Sequence, residues 1–150
     1  MSTPEQSQSR ILQKKPDIVL PFGMPTLNKY IGAERANRFV ASAMKKKFTN
    51  MVKDATITTT KVDRPVFVIW CWYKKNKRMD TDNIEFGKKF VLDGLQKSGV
   101  IENDGQKQIR GGINFHSVDK DERIELYFVD EQEVIKIISE SGSLWQQEQR

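Results

Sequence analysis

Two aspartates separated by one residue, Asp80 and Asp82, begin the stretch MDTDNIEFGKKFVLDGL at residues 79–95. A third carboxylate, Asp104, follows on the loop after that stretch. Carboxylates without a neighbouring histidine or cysteine suit Mg²⁺ or Mn²⁺, because these ions take oxygen ligands and keep waters that a phosphate oxygen can displace. The pattern therefore indicates a divalent-metal site for phosphate chemistry, with Asp80, Asp82 and Asp104 as its ligands.

The same stretch has an ordinary structural explanation, because it reads as one helix. Asp82, with Glu85 three residues later, has the spacing of a capping box. At about 100° per residue, Asp82, Lys89 and Asp93 fall within about 20° of one line, with apolar residues opposite. A Lys89–Asp93 ion pair on a solvated face would contribute only ~0.3–0.5 kcal/mol. The helix alone leaves both interpretations open, although capping does not explain Asp80.

The surrounding elements predict a single α+β domain with the order β-α-β-α-β-β. The run IVLPF at residues 18–22 reads as a short strand, and residues 26–55 read as one long helix with an apolar stripe and a basic side. Eight consecutive apolar residues at 66–73 suit a central strand that is covered on both faces, with Trp70 and Trp72 in the core. Gly99 is a plausible stop for the second helix.

The last two strands are expected to form a hairpin, QIRGGINFH and RIELYFVD across VDKDE. The result is a mixed β-sheet packed by two main helices. We expect a disordered N-terminal tail at residues 1–15, a folded domain at 16–130, and a C-terminal tail at 131–150 with one short helix.

Composition excludes several classes of chemistry. Cys71 is the only cysteine and His116 the only histidine, so an internal disulfide, a Cys/His zinc site and a histidine triad are all hard to assemble. We assign Cys71 and His116 no catalytic role. No run of about 18 apolar residues and no signal peptide occur, which predicts a cytoplasmic protein without a membrane partner. The formal charge of +5 favours a polyanionic partner.

Three segments together carry a resemblance to a known family. They are LNKYIGAERANRF, then NKRMDTDNIEFGKKFVLDGLQKSGVIENDG, then the C-terminal strand pair. Over residues 18–129 this set resembles the RusA family of Holliday junction resolvases, especially the branch common in phages and prophages of Gram-positive bacteria. The resemblance implies a small homodimer that nicks two symmetric strands of a four-way DNA junction in recombination and repair. It implies Mg²⁺, with Mn²⁺ as a substitute, and no small-molecule cofactor.

Carried over residue by residue, the resemblance implies catalytic roles for Asp80, Asp82 and Asp104, with Lys89 as the essential lysine and Asp93 as a further acidic position. The best-known enterobacterial form places its lysine four residues after the second aspartate, whereas Lys89 follows Asp82 by seven. Lys88 is the rival, but it lies about 120° from Asp82 on a helical wheel. Asn103 stands where some relatives have a second aspartate.

Basic residues beside the acidic site are expected to bind DNA, because positive side chains steer the phosphate backbone towards the carboxylates. This surface comprises Lys29, Tyr30, Arg35, Arg38, Lys74, Lys75, Lys77 and Arg78. Two other functions stay open. One is a nuclease of the same fold that acts on other branched DNA, and the other is a non-catalytic branched-DNA-binding protein in which the acids only cap and pair.

Overall fold

The buried strand predicted at residues 66–73 lies inside the sheet. A computed structural model describes residues 14–148, with side chains up to residue 140. In it, β2 (Val66–Lys74) lies between β3 (Ile109–Val118), which runs parallel to it, and β4 (Arg123–Val129), which runs antiparallel. A short β1 (Ile18–Leu20) pairs with the other side of β4, giving the order β1-β4-β2-β3. The α+β class and the mixed sheet are confirmed.

Helices cover both faces of the sheet. One face packs against α1 (Leu27–Ala36), α2 (Arg38–Thr56), α3 (Thr81–Glu85) and α4 (Lys88–Ser98), and the other against α5 (Glu131–Glu148). Side chains alternate along β2, so Trp70 and Trp72 face the first group while Cys71 and Tyr73 face α5. Both tryptophans are almost fully buried, which confirms their core role. Burial also raises the pKa of the Cys71 thiol, consistent with a packing role for that residue.

The predicted hairpin of the last two strands is wrong. β3 and β4 each pair with β2, on opposite sides of it, and the chain between them crosses the end of β2. There the backbone N–H of Asp119 donates to the carbonyl of Lys74 at 2.8 Å. The two strands themselves are confirmed. The apolar run of β2 decides the pairing, because a strand buried on both faces is best placed between two neighbours.

The predicted long first helix is two helices, α1 and α2, separated at Asn37. Asn37 has extended backbone (φ −172°, ψ 133°), and its side-chain Oδ1 accepts a hydrogen bond from the N–H of Phe39 at 2.7 Å. Its own N–H donates to the carbonyl of Ala33 at 3.0 Å. One asparagine therefore ends α1 and caps α2, a local hydrogen-bonding option that competes with a continuous helix.

The second predicted helix is also interrupted, here at Gly87. Gly87 donates to the carbonyl of Ile84 and Lys89 donates to that of Phe86, which are three-residue rather than four-residue steps. A Cβ on Gly87 would lie 2.6 Å from Cβ of Met24, so the close approach of Met24 requires glycine. Asp80, not Asp82, is the N-cap residue of α3, and its side chain makes no capping bond. The expected Asp82 cap and the single helical line through Asp82, Lys89 and Asp93 are therefore wrong.

The close packing of α2 against α4 depends on Gly94. The two helices run side by side in the same direction, with the hydroxyls of Thr56 and Ser98 2.8 Å apart at one end. A Cβ on Gly94 would lie 2.5 Å from Cβ of Val52 and 2.9 Å from the carbonyl oxygen of Thr49. Gly99 ends α4 in the left-handed conformation (φ 83°), as expected.

We expect Gly94→Ala to destabilise the protein by ~1–3 kcal/mol, because Val52 and a backbone carbonyl would have to move to admit the methyl group. The matched control is Gly32→Ala in the middle of α1, where nothing lies within 4 Å of the added Cβ. That change should be neutral or stabilise by ~0.5–1 kcal/mol. Urea denaturation of both variants measures this, and equal effects at the two glycines would contradict the packing argument.

The C-terminal segment forms a longer helix than the short one expected. α5 has 18 residues, Glu131–Glu148, and begins directly after β4 at the boundary predicted at residue 130. Asp130 caps it, because its Oδ1 accepts from the N–H of Glu133 at 2.8 Å while Glu133 reaches back to the N–H of Asp130. Ile137 is buried against the sheet. Of the predicted disordered tail, only its last two residues lie within the part of the chain that is described.

Candidate functional site

Asp80 and Asp82 lie at the start of α3, just beyond the loop that leaves the end of β2, and both are exposed. The loop is anchored by Ile84, which is 7% exposed and lies near Met24 and the end of β2. The N–H of Ile84 donates to the carbonyl of Asp80, and Asp82 Oδ1 accepts from the N–H of Asn83 at 3.0 Å. Asp80 and Asp82 are therefore two exposed carboxylates, two residues apart, at the start of a short helix whose Ile84 is buried.

The first turn of α1 lies beside this pair. The N–H of Asn28 donates to Oδ1 of Asn83 at 3.0 Å, which ties α1 to the residue after Asp82. Lys29 is the next residue in α1 and is exposed. This contact joins segments that are 55 residues apart. It places one of the predicted DNA-binding lysines close to the aspartates.

Tyr30 differs from the other predicted DNA-binding residues because its ring packs against the core. Its ring centre lies 5.3 Å from that of Phe86 and 5.9 Å from that of Phe90. Partial desolvation, followed by a hydrogen bond to Glu34 and the charge of Glu34, raises the pKa of Tyr30. The residue supports the contact between α1 and α4, and only part of its surface faces solvent.

The remaining predicted DNA-binding residues lie in three separate places. Lys74, at the end of β2, is paired with Glu122 at 3.7 Å. Lys75, Lys77 and Arg78 are exposed in the loop before Asp80, and Arg35 and Arg38 are exposed at the α1–α2 junction. The loop from Lys75 to Arg78 is thus the most available basic segment next to Asp80.

Asp104 lies at the opposite end of the sheet from Asp80 and Asp82. Its loop is held beside the start of β2 by the buried Gln108, whose Oε1 accepts from the N–H groups of Glu102 and Asn103 and whose Nε2 donates to the carbonyl of Val62. Asp80 follows the other end of β2, and a strand of nine residues is about 30 Å long. The predicted set of three carboxylates does not come together within one chain.

The described residues also contain no other cluster of three His, Cys, Asp or Glu side chains that could hold a metal ion. The pair Asp80 and Asp82 nevertheless fits Mg²⁺, because this ion is commonly held by one or two carboxylates together with waters and substrate phosphates. Within one chain, the donor set is therefore a pair rather than the predicted triad.

Lys89 and Asp93, predicted to belong to the same site, lie on α4. Lys89 is exposed near the first residue of that helix. Asp93 is half-buried and faces α2, with its Oδ2 3.9 Å from Nζ of Lys45. The interruption at Gly87 separates both residues from the helical line of Asp82. Asp93 is therefore part of the α2–α4 surface rather than of the acidic pair.

Lys88, the rival lysine, belongs to a cluster that directly adjoins Asp82. Glu85 lies one turn after Asp82 on α3, and its Oε1 is 3.7 Å from Nζ of Lys88. That ammonium also lies 5.5 Å from the ring centre of Trp70. Burial lowers the pKa of Lys88, while the charge and hydrogen bond of Glu85 raise it in part.

His116 completes the cluster and is the residue that sequence reasoning missed. Its Nε2 lies 2.8 Å from Oε2 of Glu85, so both carboxylate oxygens of Glu85 are engaged. The imidazole stacks on Trp72 at an interplanar angle of 14°, and its Nδ1 is buried without a hydrogen-bond partner among the described residues. No sequence signal marks this contact, because it joins β3 to α3 across 31 residues.

Comparison with known proteins adds no family assignment. No family model matches the chain, and no curated protein matches it. None of the described helices is long and apolar enough to cross a membrane.

We expect Glu85→Gln to lower the pKa of Lys88 further below the ordinary lysine value, because the burial that lowers it remains while the carboxylate that raises it is removed. NMR titration of ¹³C-methylated lysines measures this pKa, and the Lys88 signal is assigned by its loss in Lys88→Arg. An unchanged or higher pKa in Glu85→Gln would show that the Glu85–Lys88 contact at 3.7 Å does not persist in solution.

Proposed function

We propose that the protein is a Mg²⁺-dependent endonuclease that cuts four-way DNA junctions by paired nicks, acting as a homodimer. The observation that carries this proposal is the exposed pair Asp80 and Asp82 at the end of the central strand. Basic residues flank the pair on two sides, from the first turn of α1 and from the loop 75–78. A phosphodiester attracted to this end of the central strand meets carboxylates that are exposed to solvent.

Asp80 and Asp82 are the residues that would hold the metal ion, which when bound activates a water and neutralises charge that develops on the phosphorus oxygens. Lys29 and the lysines of the loop 75–78 attract and orient the backbone. Lys88, held by Glu85 beside Trp70, keeps a positive charge next to Asp82. Glu85 contacts both His116 and Lys88, so it positions these two side chains.

A homodimer supplies a reason for the distant Asp104. The outer edge of β3 has no partner strand within residues 14–148, and a ten-residue strand with an open edge is a template for pairing with a second copy. Two β3 strands related by a two-fold axis run antiparallel. The C-terminal end of β2 in one copy and the N-terminal end of β2 in the other then lie at the same end of the joined strands. Asp104 of a second copy would thereby approach Asp80 and Asp82.

We expect the purified protein to cut a mobile four-way junction in Mg²⁺, and Asp82→Asn to reduce the cleavage rate by about 100-fold or more while junction binding remains. The matched control is Asp54→Asn, which removes an exposed carboxylate of α2. Gel assays with junction, duplex, flap and fork DNA measure both properties. Equal cleavage of plain duplex would contradict junction resolution, and preference for flaps or forks would instead indicate a nuclease for other branched DNA.

We expect a mixture of the inactive variants Asp82→Asn and Asp104→Asn to regain cleavage. If Asp104 acts in the site of the other subunit, each mixed dimer holds one intact site, so roughly a quarter of all sites recover at equal mixing. Recovered activity should consist of single nicks rather than paired cuts, because the second site of each mixed dimer carries both changes. No recovery after subunit exchange, verified by mass spectrometry of the mixed dimers, would contradict the shared site.

A second candidate is a non-catalytic protein that binds branched DNA. It is favoured by one observation, that the three predicted ligands are divided between the two ends of the sheet. In that case Asp80 only begins α3, and the basic residues carry the whole function. Tight junction binding without cleavage in either Mg²⁺ or Mn²⁺ would establish this candidate and exclude the nuclease.

A further inference from the structure

A groove between α2 and α4 lies outside the acidic pair and has a chemistry of its own. Its volume is about 500 Å³ and it is open to solvent on one side. Lys45 and Lys46 of α2 line one wall, and Asp93, Gln96 and Lys97 of α4 line the other. The lining therefore carries three lysines and one aspartate, a net charge of +2.

The inner part of the groove holds a polar group that the fold does not use. Thr49 is 3% exposed and lines the groove, and its hydroxyl oxygen has no hydrogen-bond partner among the described residues. A buried hydroxyl without a partner costs free energy, and a ligand oxygen that accepts its hydrogen bond would offset that cost. Gln96 also lines the groove and carries a side-chain amide. Cations at the rim attract a phosphate oxygen, and the buried Thr49 hydroxyl is the donor that such an oxygen would engage on binding.

Asp93 does not cancel the preference of the groove for an anion. Its Oδ2 lies 3.9 Å from Nζ of Lys45, so the carboxylate is partly neutralised and holds that lysine over the groove. Lys46 and Lys97 are exposed. Both remain available to bind an anion.

We infer that this groove binds the phosphodiester backbone of DNA several nucleotides from the scissile phosphate. The inference rests on the proposed function for the identity of the substrate. Among the described residues that line the groove, none is aromatic, so the contacts are with the backbone rather than with stacked bases. Asp93 to Lys97 lie five to nine residues along α4 from Lys88, which is ~8–14 Å. DNA rises ~3.4 Å per nucleotide of one strand, so this displacement spans about two to four nucleotides.

The test compares two double variants that remove the same charge. Lys45→Gln/Lys46→Gln changes the groove, whereas Lys47→Gln/Lys61→Gln changes exposed lysines that do not line it. Binding to a four-way junction is measured by fluorescence anisotropy in Ca²⁺ across a salt series. The groove variant should bind at least about tenfold more weakly and lower the slope of log K against log salt by about 2 relative to the control variant.

Thr49→Val distinguishes a built phosphate site from general attraction by charge. It removes the unpartnered hydroxyl, so the fold should be as stable as wild type while junction affinity falls several-fold with an unchanged salt slope. Urea denaturation checks the fold. If the lysine variants lose affinity while Thr49→Val keeps it, the groove attracts DNA without holding a phosphate, and the inference is overturned.

The outcome for the groove is separable from the outcome for the proposed function. If wild type binds and cuts junctions while the groove variant matches the Lys47→Gln/Lys61→Gln control in affinity and slope, the groove inference fails and the nuclease proposal stands. If wild type binds no junction at all, both fail. If wild type binds without cutting and both the groove variant and Thr49→Val are weakened as expected, the groove inference stands and the nuclease proposal fails.

Discussion

The structure depends on one constraint, that β2 buries side chains on both of its faces. Val66, Val68 and Ile69 are completely buried, and Trp70, Cys71, Trp72 and Tyr73 nearly so. At ~25 cal/mol per Å² of apolar surface, each large side chain buried in this way contributes on the order of 1.5–3 kcal/mol relative to exposure. A strand of this kind needs a neighbour on each edge and helices on each face. β3, β4, α2, α4 and α5 are arranged accordingly.

The same constraint determines where chemistry is possible. A strand with both faces buried offers solvent-exposed side chains only at its ends, and the predicted carboxylate ligands lie beyond those ends. Asp80, Asp82 and the loop 75–78 follow the C-terminal end of β2. Asp104 and Gln108 precede β3, whose start lies beside the N-terminal end of β2. The crossover from β2 to β3 must return along the whole strand, and α4 makes that return. Asp80 and Asp104, which belong to one sequence motif, therefore lie at opposite ends of a strand that is about 30 Å long.

Two glycines and an asparagine set the shape of the helical layer. Asn37 ends one helix and caps the next, Gly87 lets Met24 approach the turn between α3 and α4, and Gly94 lets α2 and α4 pack side by side. The position of Gly94 brings Thr49 and Lys45 of α2 opposite Asp93 of α4, and so forms the polar groove. Glu85 contacts His116 and Lys88 instead of acting as a capping partner of Asp82.

The sequence by itself determined the central strand, the α+β class, the core role of the tryptophans, the helix stop at Gly99 and the location of the acidic pair beside basic residues. These follow from apolar runs, residue types and local backbone preferences, which act over a few residues. Tertiary structure decided the pairing of β3 and β4 with β2, the interruption at Gly87, and the separation of Asp104 from Asp80. It also decided the contact between His116 and Glu85. Each of these depends on contacts between distant segments, where the burial of β2 and the fit of Met24 against Gly87 outweigh the periodicity that a single stretch displays.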